Sequence, residues 1–322
     1  MLKTITKAAA ALGLCLGAAG ALAADYPSKP IRMYIGFSAG SATDIVGRVI
    51  AEALSKRLGQ AVVVENKVGA GGSIAAQDTA RAEPDGYTLL TVSSAIAVNP
   101  AVYKGAGDVL RGLGPIAMIG YQPTVLLAGK KLPVDTLKAF VDYARKHPTE
   151  VNFGSSGVGG STHLAMEEFA NVTRTELTHI PYKGNGQASA ALLGGDIAAL
   201  MDTVMLAAPL VQAGRAKGLA VTGTERSPLM PDVPTFTEAG VPEYNRSLFF
   251  GVMAPAGMRP DLVQKLNREV NAILKDPAVR ERLTKTGGLS LYDGTSVDFQ
   301  NILAEELALW KRVADSANIA EK

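Results

Sequence analysis

The stretch IRMYIGFSAGSATD, residues 31–44, joins an apolar run to a loop of small residues and then to the start of a helical pattern. The run before the first glycine predicts a strand, and helical periodicity extends from Asp44 to Leu58. Such a strand-to-helix link is typical of a binding turn at the carboxyl end of a parallel strand. The link also contains G-x-S-x-G, from Gly36 to Gly40, which is the form of a hydrolase nucleophile elbow. The sequence must therefore be weighed for both functions.

Beyond this stretch, short β-branched or apolar runs alternate with helical patterns as far as residue 223. The runs are 61–66, 87–92, 114–120, 124–129, 151–156, 177–182, 196–202 and 217–223. This alternation predicts an α/β fold of parallel βαβ units covered by helices. From Pro260 onward the pattern is nearly all helical, and the four-proline stretch 226–245 is predicted to be a surface connection.

Two extended segments, 122–129 and 247–257, are predicted to be crossings between two lobes. The first lobe would comprise residues 24–124 plus 246–322, and the second lobe residues 125–245. Each lobe is expected to be a mostly parallel sheet flanked by helices, with a ligand cleft between the lobes.

Residues 1–23 have the form of a secretory signal peptide. Lys3 and Lys7 precede an apolar stretch, and Ala21-Leu22-Ala23 supplies the small residues of a cleavage site. The only cysteine, Cys15, lies within this leader, so the mature chain would carry no thiol into an oxidising compartment. The sequence therefore predicts a soluble periplasmic protein.

Charge and motifs exclude several classes of function. The chain has 32 Lys and Arg against 30 Asp and Glu, and the leader contains two of the lysines, so the remainder is balanced. No basic stripe indicates nucleic-acid binding, and no later apolar run is long enough for a membrane span. A nucleotide-binding G-x-x-x-x-G-K-[ST] is absent, and the three histidines lack metal-ligand spacing. We therefore expect no cofactor and no metal.

Two glycine- and serine-rich turns are predicted to bind an anion. The second turn, residues 154–162, follows a strand and precedes a helix near His163, and neither turn contains Lys or Arg. Free N–H groups and the helix dipole can hold a carboxylate there without a cationic side chain. The candidate ligand-binding residues are Phe37, Ser38, Ala39, Gly40, Ser41 and Asp44 in the first turn, and Gly154, Ser155, Ser156, Gly157, Gly159, Gly160, Ser161, Thr162 and His163 in the second.

Several candidates have a structural alternative. Asp44 follows Ser41 by three residues and is more simply a helix cap than a ligand contact, and His163 is expected to order its loop. Asp202 either caps the helix beginning near Val204 or faces the cleft. Phe249, like Phe37, is either a cleft wall or part of the core.

The alternative function is a periplasmic serine hydrolase that uses Ser38 as its nucleophile. Such an enzyme needs a histidine base within reach, and in the α/β-hydrolase order that histidine comes late in the chain. Here no histidine follows His179, and Ser38 lies after the first strand of the mature chain. The missing base favours binding over catalysis, so no catalytic residue is assigned.

Over nearly its whole mature length the chain resembles the Bug receptors, also called tripartite tricarboxylate receptors. The likeness is carried by YPSKPIRMYIGFSAGSATDIVGR, VVENKVGAGGSIAA, FGSSGVGGSTHLAMEEF, HIPYKGNGQA, LLGGDIAALMDT and FFGVMAPAG. It implies a two-lobed, type II-like periplasmic binding fold whose two turns pinch a ligand carboxylate. It also places Asp202 at the family's acidic position and Phe249 where a tryptophan is common.

The resemblance implies a non-enzymatic receptor, expected to be a monomer. Its partners would be a small carboxylate and the membrane subunits of a tripartite tricarboxylate-type transporter. The first turn reads Ala39-Gly40-Ser41 where the family usually has Pro-Gly-Gly, so its shape is expected to differ because serine restricts positive φ. The pattern does not identify the acid that is bound.

Overall fold

A computed structural model describes residues 26–316, and the predicted leader lies outside this part of the chain. The strands are β1 (Ile31–Ile35), β2 (Val62–Asn66), β3 (Thr88–Ser93), β4 (Leu113–Gln122), β5 (Thr124–Ala128), β6 (Asn152–Ser155), β7 (Thr178–Pro181), β8 (Ala199–Thr203), β9 (Lys217–Val221), β10 (Leu248–Pro255) and β11 (Ser290–Leu291). The α-helices are α1 (Ala42–Leu58), α2 (Ser73–Ala80), α3 (Ala95–Val102), α4 (Ala106–Arg111), α5 (Leu137–Lys146), α6 (Ser161–Thr173), α7 (Asn185–Gly194), α8 (Val204–Gln212), α9 (Pro260–Lys275), α10 (Pro277–Glu281) and α11 (Ser296–Ser316).

The strands form two separate sheets. The first has the order β11-β4-β10-β3-β1-β2 and the second β7-β6-β8-β5-β9. In the first sheet β1 pairs in parallel with β2 and β3, while β10 runs antiparallel to β3 and β4. In the second sheet β6 is parallel to β7 and β8, while β5 is antiparallel to β8 and β9. The predicted α/β fold is confirmed, and both sheets are mixed: among the described residues four of the nine strand pairs are parallel and five are antiparallel.

The antiparallel strand of each sheet follows a passage between the sheets. The chain leaves the first sheet at the end of β4, and Pro123 separates β4 from β5 in the second sheet. It returns to the first sheet as β10, after a segment without helix or strand. Both passages lie within or next to the extended segments recognised in the sequence.

Helices pack on the faces of both sheets because their apolar stripes match apolar strand faces. One core lies between the first sheet and helices α1 and α9, and includes Ile50, Leu54 and Leu266. On the opposite face α3 and α11 cover the sheet, and Trp310 is almost completely buried there. Within residues 26–316, no helix is long and apolar enough to cross a membrane.

The four-proline stretch was predicted to be a surface connection, but part of it is core. Phe236 and Tyr244 are buried and pack edge-to-face on each other, with ring centroids 4.6 Å apart. Both rings also contact Phe169 of α6. Proline spacing indicates the absence of regular structure, whereas burial depends on the apolar side chains between the prolines.

Candidate functional site

A cavity lies between the two sheets, with about 460 Å³ of empty space when its opening to solvent is included. Residues from both sheets line it, at the carboxyl ends of strands β1, β3, β6 and β8, where parallel sheets commonly bind ligands. The lining residues are Phe37, Ser38, Ser41, Ala42, Thr43, Ser93, Ser156, Ser161, Thr162, Gly184, Asn185, Asp202, Thr203, Leu206, Leu248 and Phe250. None of them is a lysine or arginine.

The first turn is fastened by Asp44, which is 3% exposed. Its carboxylate accepts the backbone N–H of Gly40 at 2.9 Å, Nε of Arg48 at 3.0 Å and Nδ2 of Asn66 at 2.7 Å. Ser41 caps α1 by accepting the N–H of Asp44 at 3.2 Å. This arrangement resembles a capping box, except that the acidic side chain accepts the N–H of Gly40, the residue before the N-cap, and not that of the N-cap Ser41 itself.

Asp44 therefore acts on the turn, and it does not line the cavity. Burial alone would raise the pKa of Asp44. The hydrogen bonds from Arg48, Asn66 and the Gly40 backbone outweigh burial and hold this pKa below its usual value. The carboxylate is thus ionised at neutral pH, and its hydrogen bonds are made with Gly40, Arg48 and Asn66.

The second turn is fastened by its own hydroxyl groups. Thr162 Oγ1 accepts the backbone N–H of Ser156 at 3.1 Å and donates to Oδ1 of Asn185 at 3.1 Å. Gly157 and Gly159 have φ of +126° and +71°, values that residues with a Cβ rarely adopt. Gly160, with φ of −69°, is needed for space, since a Cβ there would lie 2.4 Å from Ser156 Oγ.

Two stacked histidines support the second turn from behind. The rings of His163 and His179 have centroids 3.7 Å apart, and the His179 ring also stacks on Phe153. His163 Nδ1 accepts the backbone N–H of Gly159 at 3.2 Å, and Nε2 of His179 lies 2.6 Å from Ser155 Oγ. His163 is buried and does not line the cavity, in agreement with a role in ordering its loop.

Four helices begin at the cavity, although the sequence pointed to two. Helices α1 and α6 start at the two turns, and α7 and α8 start beside them with Asn185 and Thr203 in the lining. Within the described residues, no acceptor is found for the N–H groups of Ala42, Thr43, Ser161 and Thr162, which belong to the first turns of α1 and α6. Unpaired N–H groups and helix dipoles favour a negative charge beside them, without any cationic side chain in the lining.

Asp202 is the single ionisable residue among those that line the cavity. It is fully buried, at 0% exposure, and accepts Asn185 Nδ2 at 2.6 Å, Ser189 Oγ at 3.1 Å and the N–H of Thr203 at 2.7 Å. Burial raises the pKa of Asp202 to about 6, even though these hydrogen bonds lower it. The N-cap of α8 is Thr203, so Asp202 lies one residue before the cap.

The predicted candidates divide into two groups. Those that line the cavity are Phe37, Ser38, Ser41, Ser156, Ser161, Thr162 and Asp202. Those that do not are Ala39, Gly40, Asp44, Gly154, Ser155, Gly157, Gly159, Gly160, His163 and Phe249. Most of the second group shape the turns, as the hydrogen bonds and glycine geometry above indicate.

Of the two alternatives for Phe249, cleft wall or core, the structure shows the core, and its neighbour Phe250 lines the cavity. The Phe249 ring packs edge-to-face on Phe299 of α11, with centroids 5.8 Å apart, whereas Phe250 lines the cavity. Successive strand residues point to opposite faces of a sheet, so only one of the two rings can reach the cleft. Which one does so depends on the register of β10 against β3 and β4.

Sequence reasoning missed Gly184, Asn185 and Thr203, which line the cavity at the start of α7 and α8. The signal for the first two was present, because Gly184-Asn185-Gly186 joins β7 to α7 just as the two predicted turns join a strand to a helix. Thr203 gave no local signal. Its hydroxyl is buried and has no hydrogen-bond partner among the described residues.

The two sheets are in contact across the cleft. Tyr103, at the end of α3, donates its hydroxyl hydrogen to the carbonyl of Val158 in the second turn. A Cβ on Gly159 would lie 2.9 Å from Val102 Cγ1, and a Cβ on Gly184 would lie 3.4 Å from Ser38 Oγ. The turns of the second sheet thus rest on the first sheet's helix and turn.

The geometry gives no support to Ser38 as a nucleophile. Two of the three histidines stack beneath the second turn, and His147 lies 3.2 Å from Glu150 at the end of α5. Within the described residues, no histidine is hydrogen-bonded to Ser38, so it lacks the base that a serine hydrolase requires. Nor do the described residues contain a cluster of side chains suited to a metal ion.

Comparison with known proteins identifies the family of the chain. Residues 46–319 match the model of the tripartite tricarboxylate transporter family receptor. The chain is 37% identical to the protein BugT of Bordetella pertussis over 320 residues, covering 96% of this chain and 97% of BugT.

Solved structures show the same fold. The structure of R. palustris Rpa4515 with adipate has a TM-score of 0.87 and 34% identity, covering 92% of this chain and 100% of that one. MatC of Rhodopseudomonas palustris with bound malate has a TM-score of 0.80 and 30% identity, covering 89% and 99%. The predicted two-lobed periplasmic binding fold is thereby confirmed. The chain therefore belongs to the tripartite tricarboxylate transporter receptor family, whose members are periplasmic solute-binding receptors and not enzymes.

Proposed function

We propose that this chain captures a small organic carboxylate in the cavity between its two sheets and delivers it to the membrane subunits of a tripartite transporter. The observation that carries the proposal is the convergence of four helix N-termini on a cavity without Lys or Arg. Such a cavity attracts an anion through N–H groups and dipoles. A carboxylate fits this arrangement because its two oxygens can be shared between the two turns.

The number of donors is adequate for tight binding. Ala42, Thr43, Ser161 and Thr162 supply unpaired N–H groups, and Ser38 adds a hydroxyl. Hydrogen bonds to a charged group contribute about 1.5–3 kcal/mol each, and micromolar affinity requires about 8 kcal/mol after the costs of association. The five donors together give about 7.5–15 kcal/mol, whereas the three of the first turn give about 4.5–9 kcal/mol and the two of the second about 3–6 kcal/mol, so donors from both turns are needed to leave a margin for the costs of association.

The remaining lining suits the carbon skeleton of an organic acid. Phe37, Leu206, Leu248 and Phe250 provide an apolar wall beside the donors. Apolar walls with a few placed polar groups are the usual form of a small-molecule site. The neighbouring receptors with adipate and with malate support an organic acid as the ligand class.

The proposal includes the domain division and the location. Residues 24–124 plus 246–322 would form one lobe and residues 125–245 the other, closing on the ligand about the passages near Pro123 and residues 245–247. Residues 1–23 would direct export to the periplasm, where the receptor is expected to act as a monomer.

The test is a thermal-shift screen of the mature protein against mono-, di- and tricarboxylates, followed by titration calorimetry of the acids that raise the melting temperature. A ligand that binds only the folded state stabilises it by mass action. Ser38→Ala and Ser156→Ala, which each remove a hydroxyl from the cavity lining, are expected to weaken binding about five- to twentyfold, equivalent to about 1–2 kcal/mol each.

The matched control is Ser28→Ala, because this exposed serine bonds to Tyr87 far along the chain and does not line the cavity. It should bind as the wild type does. If no carboxylate shifts the melting temperature, or if all three variants bind equally well, the proposed function is rejected.

A further inference from the structure

One buried group in the cavity is at odds with the capture of an anion. Asp202 is a carboxylate with no exposure to solvent, and it lines the same space that the ligand would occupy. It already lies against two helix N-termini, since it accepts the side chain of Asn185 from α7 and the N–H of Thr203 before α8. An ionised Asp202 therefore uses part of the positive field that would otherwise act on the ligand.

Within residues 26–316, no cation contributes to the electrostatics of this carboxylate. The groups that contact it are neutral: Asn185 and Ser189 from α7, Thr203 at the start of α8 and Val125, its pairing partner on β5. Helix α6 also packs on β8, and it contributes the neutral residues Ser161 and Thr162 to the cavity lining. Within the described residues, burial and these neutral hydrogen bonds are the only causes of its pKa shift. A second anion placed in the cavity would then meet an uncompensated charge in a site of low dielectric constant, where like charges repel strongly.

The surroundings accept the neutral acid without rearrangement. Oδ1 of Asp202 holds the two donors that shape the site, Asn185 at 2.6 Å and the Thr203 N–H at 2.7 Å. Oδ2 has one partner, the Ser189 hydroxyl at 3.1 Å. A hydroxyl both donates and accepts, so a proton on Oδ2 can donate to Ser189 Oγ while the Ser189 hydrogen turns away.

We infer that Asp202 takes up one proton from solvent, on Oδ2, when a carboxylate enters the cavity, so that the receptor binds an anion together with a proton. This inference rests on the proposed function, because it needs an anionic ligand. Proton uptake keeps the net charge of the cavity constant and leaves the four helix N-termini to the ligand. Asp202 is thus a positioning and charge-setting residue, and it acts on the ligand without touching it.

Proton uptake by Asp202 predicts how ligand affinity changes with pH. The free site carries an ionised Asp202 at neutral pH, because its pKa of about 6 lies below pH 7. The bound site is expected to keep the proton to a higher pH. Affinity should therefore weaken as pH rises above about 6, by up to tenfold for each pH unit, until the pKa of the bound state is passed.

The experiment is titration calorimetry of the mature protein with adipate, or with malate if adipate gives no melting shift. Titrations are run between about pH 6.5 and 8.5, where free carboxylic acids are ionised, and in buffers of different ionisation enthalpy. The wild type is expected to take up close to one proton per ligand at pH 7. Asp202→Asn keeps the Oδ1 acceptor and places an N–H donor toward Ser189, so it is expected to bind without proton uptake and at least as tightly at pH 8 as the wild type does at pH 6.5.

The control is Asp135→Asn, which makes the same change of charge at a side chain that is 85% exposed and does not line the cavity. It should retain the wild-type proton uptake. Binding by the wild type without proton uptake, or unchanged uptake in Asp202→Asn, would overturn the inference and leave the receptor function standing. If neither the wild type nor the variants bind adipate, malate or any other acid of the thermal-shift screen at any pH, the receptor function fails together with the inference.

Discussion

Replacing Asp44 with alanine is expected to loosen the first turn and weaken both the fold and ligand binding. The carboxylate joins three parts of the first sheet's edge: the turn through Gly40, helix α1 through Arg48 and the end of β2 through Asn66. Asn66 also donates to the carbonyl of Phe37 at 2.9 Å. Removing the Asp44 carboxylate therefore also loosens the support of Phe37, which lines the cavity.

The magnitude follows from these three bonds. Each hydrogen bond to a buried charged group contributes about 1.5–3 kcal/mol. The side chain of Arg48 is 47% exposed, and water can take the place of the Asp44 carboxylate as its acceptor. This bond therefore contributes little to the free energy of unfolding. The bonds from Gly40 and Asn66 remain, and together they give a loss of about 3 kcal/mol, which lowers the melting temperature by about 6 °C at about 2 °C per kcal/mol for a chain of this size.

The effect should depend on pH in a known direction. Because the pKa of folded Asp44 is held below its usual value, its stabilisation is fully present above the unfolded pKa of about 3.9 and is lost as pH falls through the folded value. The wild type and Asp44→Ala should thus differ most at neutral pH and converge below about pH 4.

The assay is thermal denaturation across this pH range, with ligand affinity measured by calorimetry at pH 7. Re-ordering one or two turn residues costs about 1–2 kcal/mol each, so affinity should fall at least tenfold. Asp44→Asn, which keeps one acceptor oxygen, should recover part of both losses. An Asp44→Ala protein that melts within about 1 °C of the wild type at pH 7, with unchanged affinity, would refute this account of the turn.

Three further changes probe other parts of the molecule. Gly160→Val should weaken ligand binding at least tenfold in calorimetry with a normal circular dichroism spectrum, since its Cβ would lie 2.4 Å from a serine oxygen of the same turn; unchanged affinity would contradict this. Tyr103→Phe removes the hydrogen bond to Val158 across the cleft and should reduce affinity about fivefold, about 1 kcal/mol, without altering the melting of the free protein by more than a few degrees. Arg246→Ala leaves the buried Glu168 without its partner at 2.7 Å. Burial raises the pKa of Glu168, so its ionised form destabilises the fold fully above the folded pKa and not at all below the unfolded pKa. Denaturant unfolding should therefore show that the variant loses about 2–3 kcal/mol of unfolding free energy, and this loss should be larger at pH 8 than at pH 5.

The first turn shows how far the sequence alone reaches. Its strand, loop and helix follow each other within residues 31–58, and Ser41 and Asp44 cap the helix as their spacing predicts. These features depend on neighbours within a few residues, so local composition determines them. The same holds for the second turn, where Gly157 and Gly159 have the positive φ that the turn requires.

The residues that complete the site were decided by distant contacts. Asn185 and Thr203 reach the cavity because β6 pairs with both β7 and β8, which brings the starts of α7 and α8 beside the second turn. The burial of Asp202, which raises its pKa, likewise arises from packing and has no signature in its neighbours along the chain.

The sequence by itself determined the order of strands and helices and the two glycine- and serine-rich turns, because capping, periodicity and glycine conformation act over a few residues. Tertiary structure alone decided that Phe250 rather than Phe249 faces the cleft, and that Asp202 is a buried carboxylate with no cationic partner among residues 26–316. Strand register and burial depend on segments that are far apart in the chain, and only the folded chain brings them together.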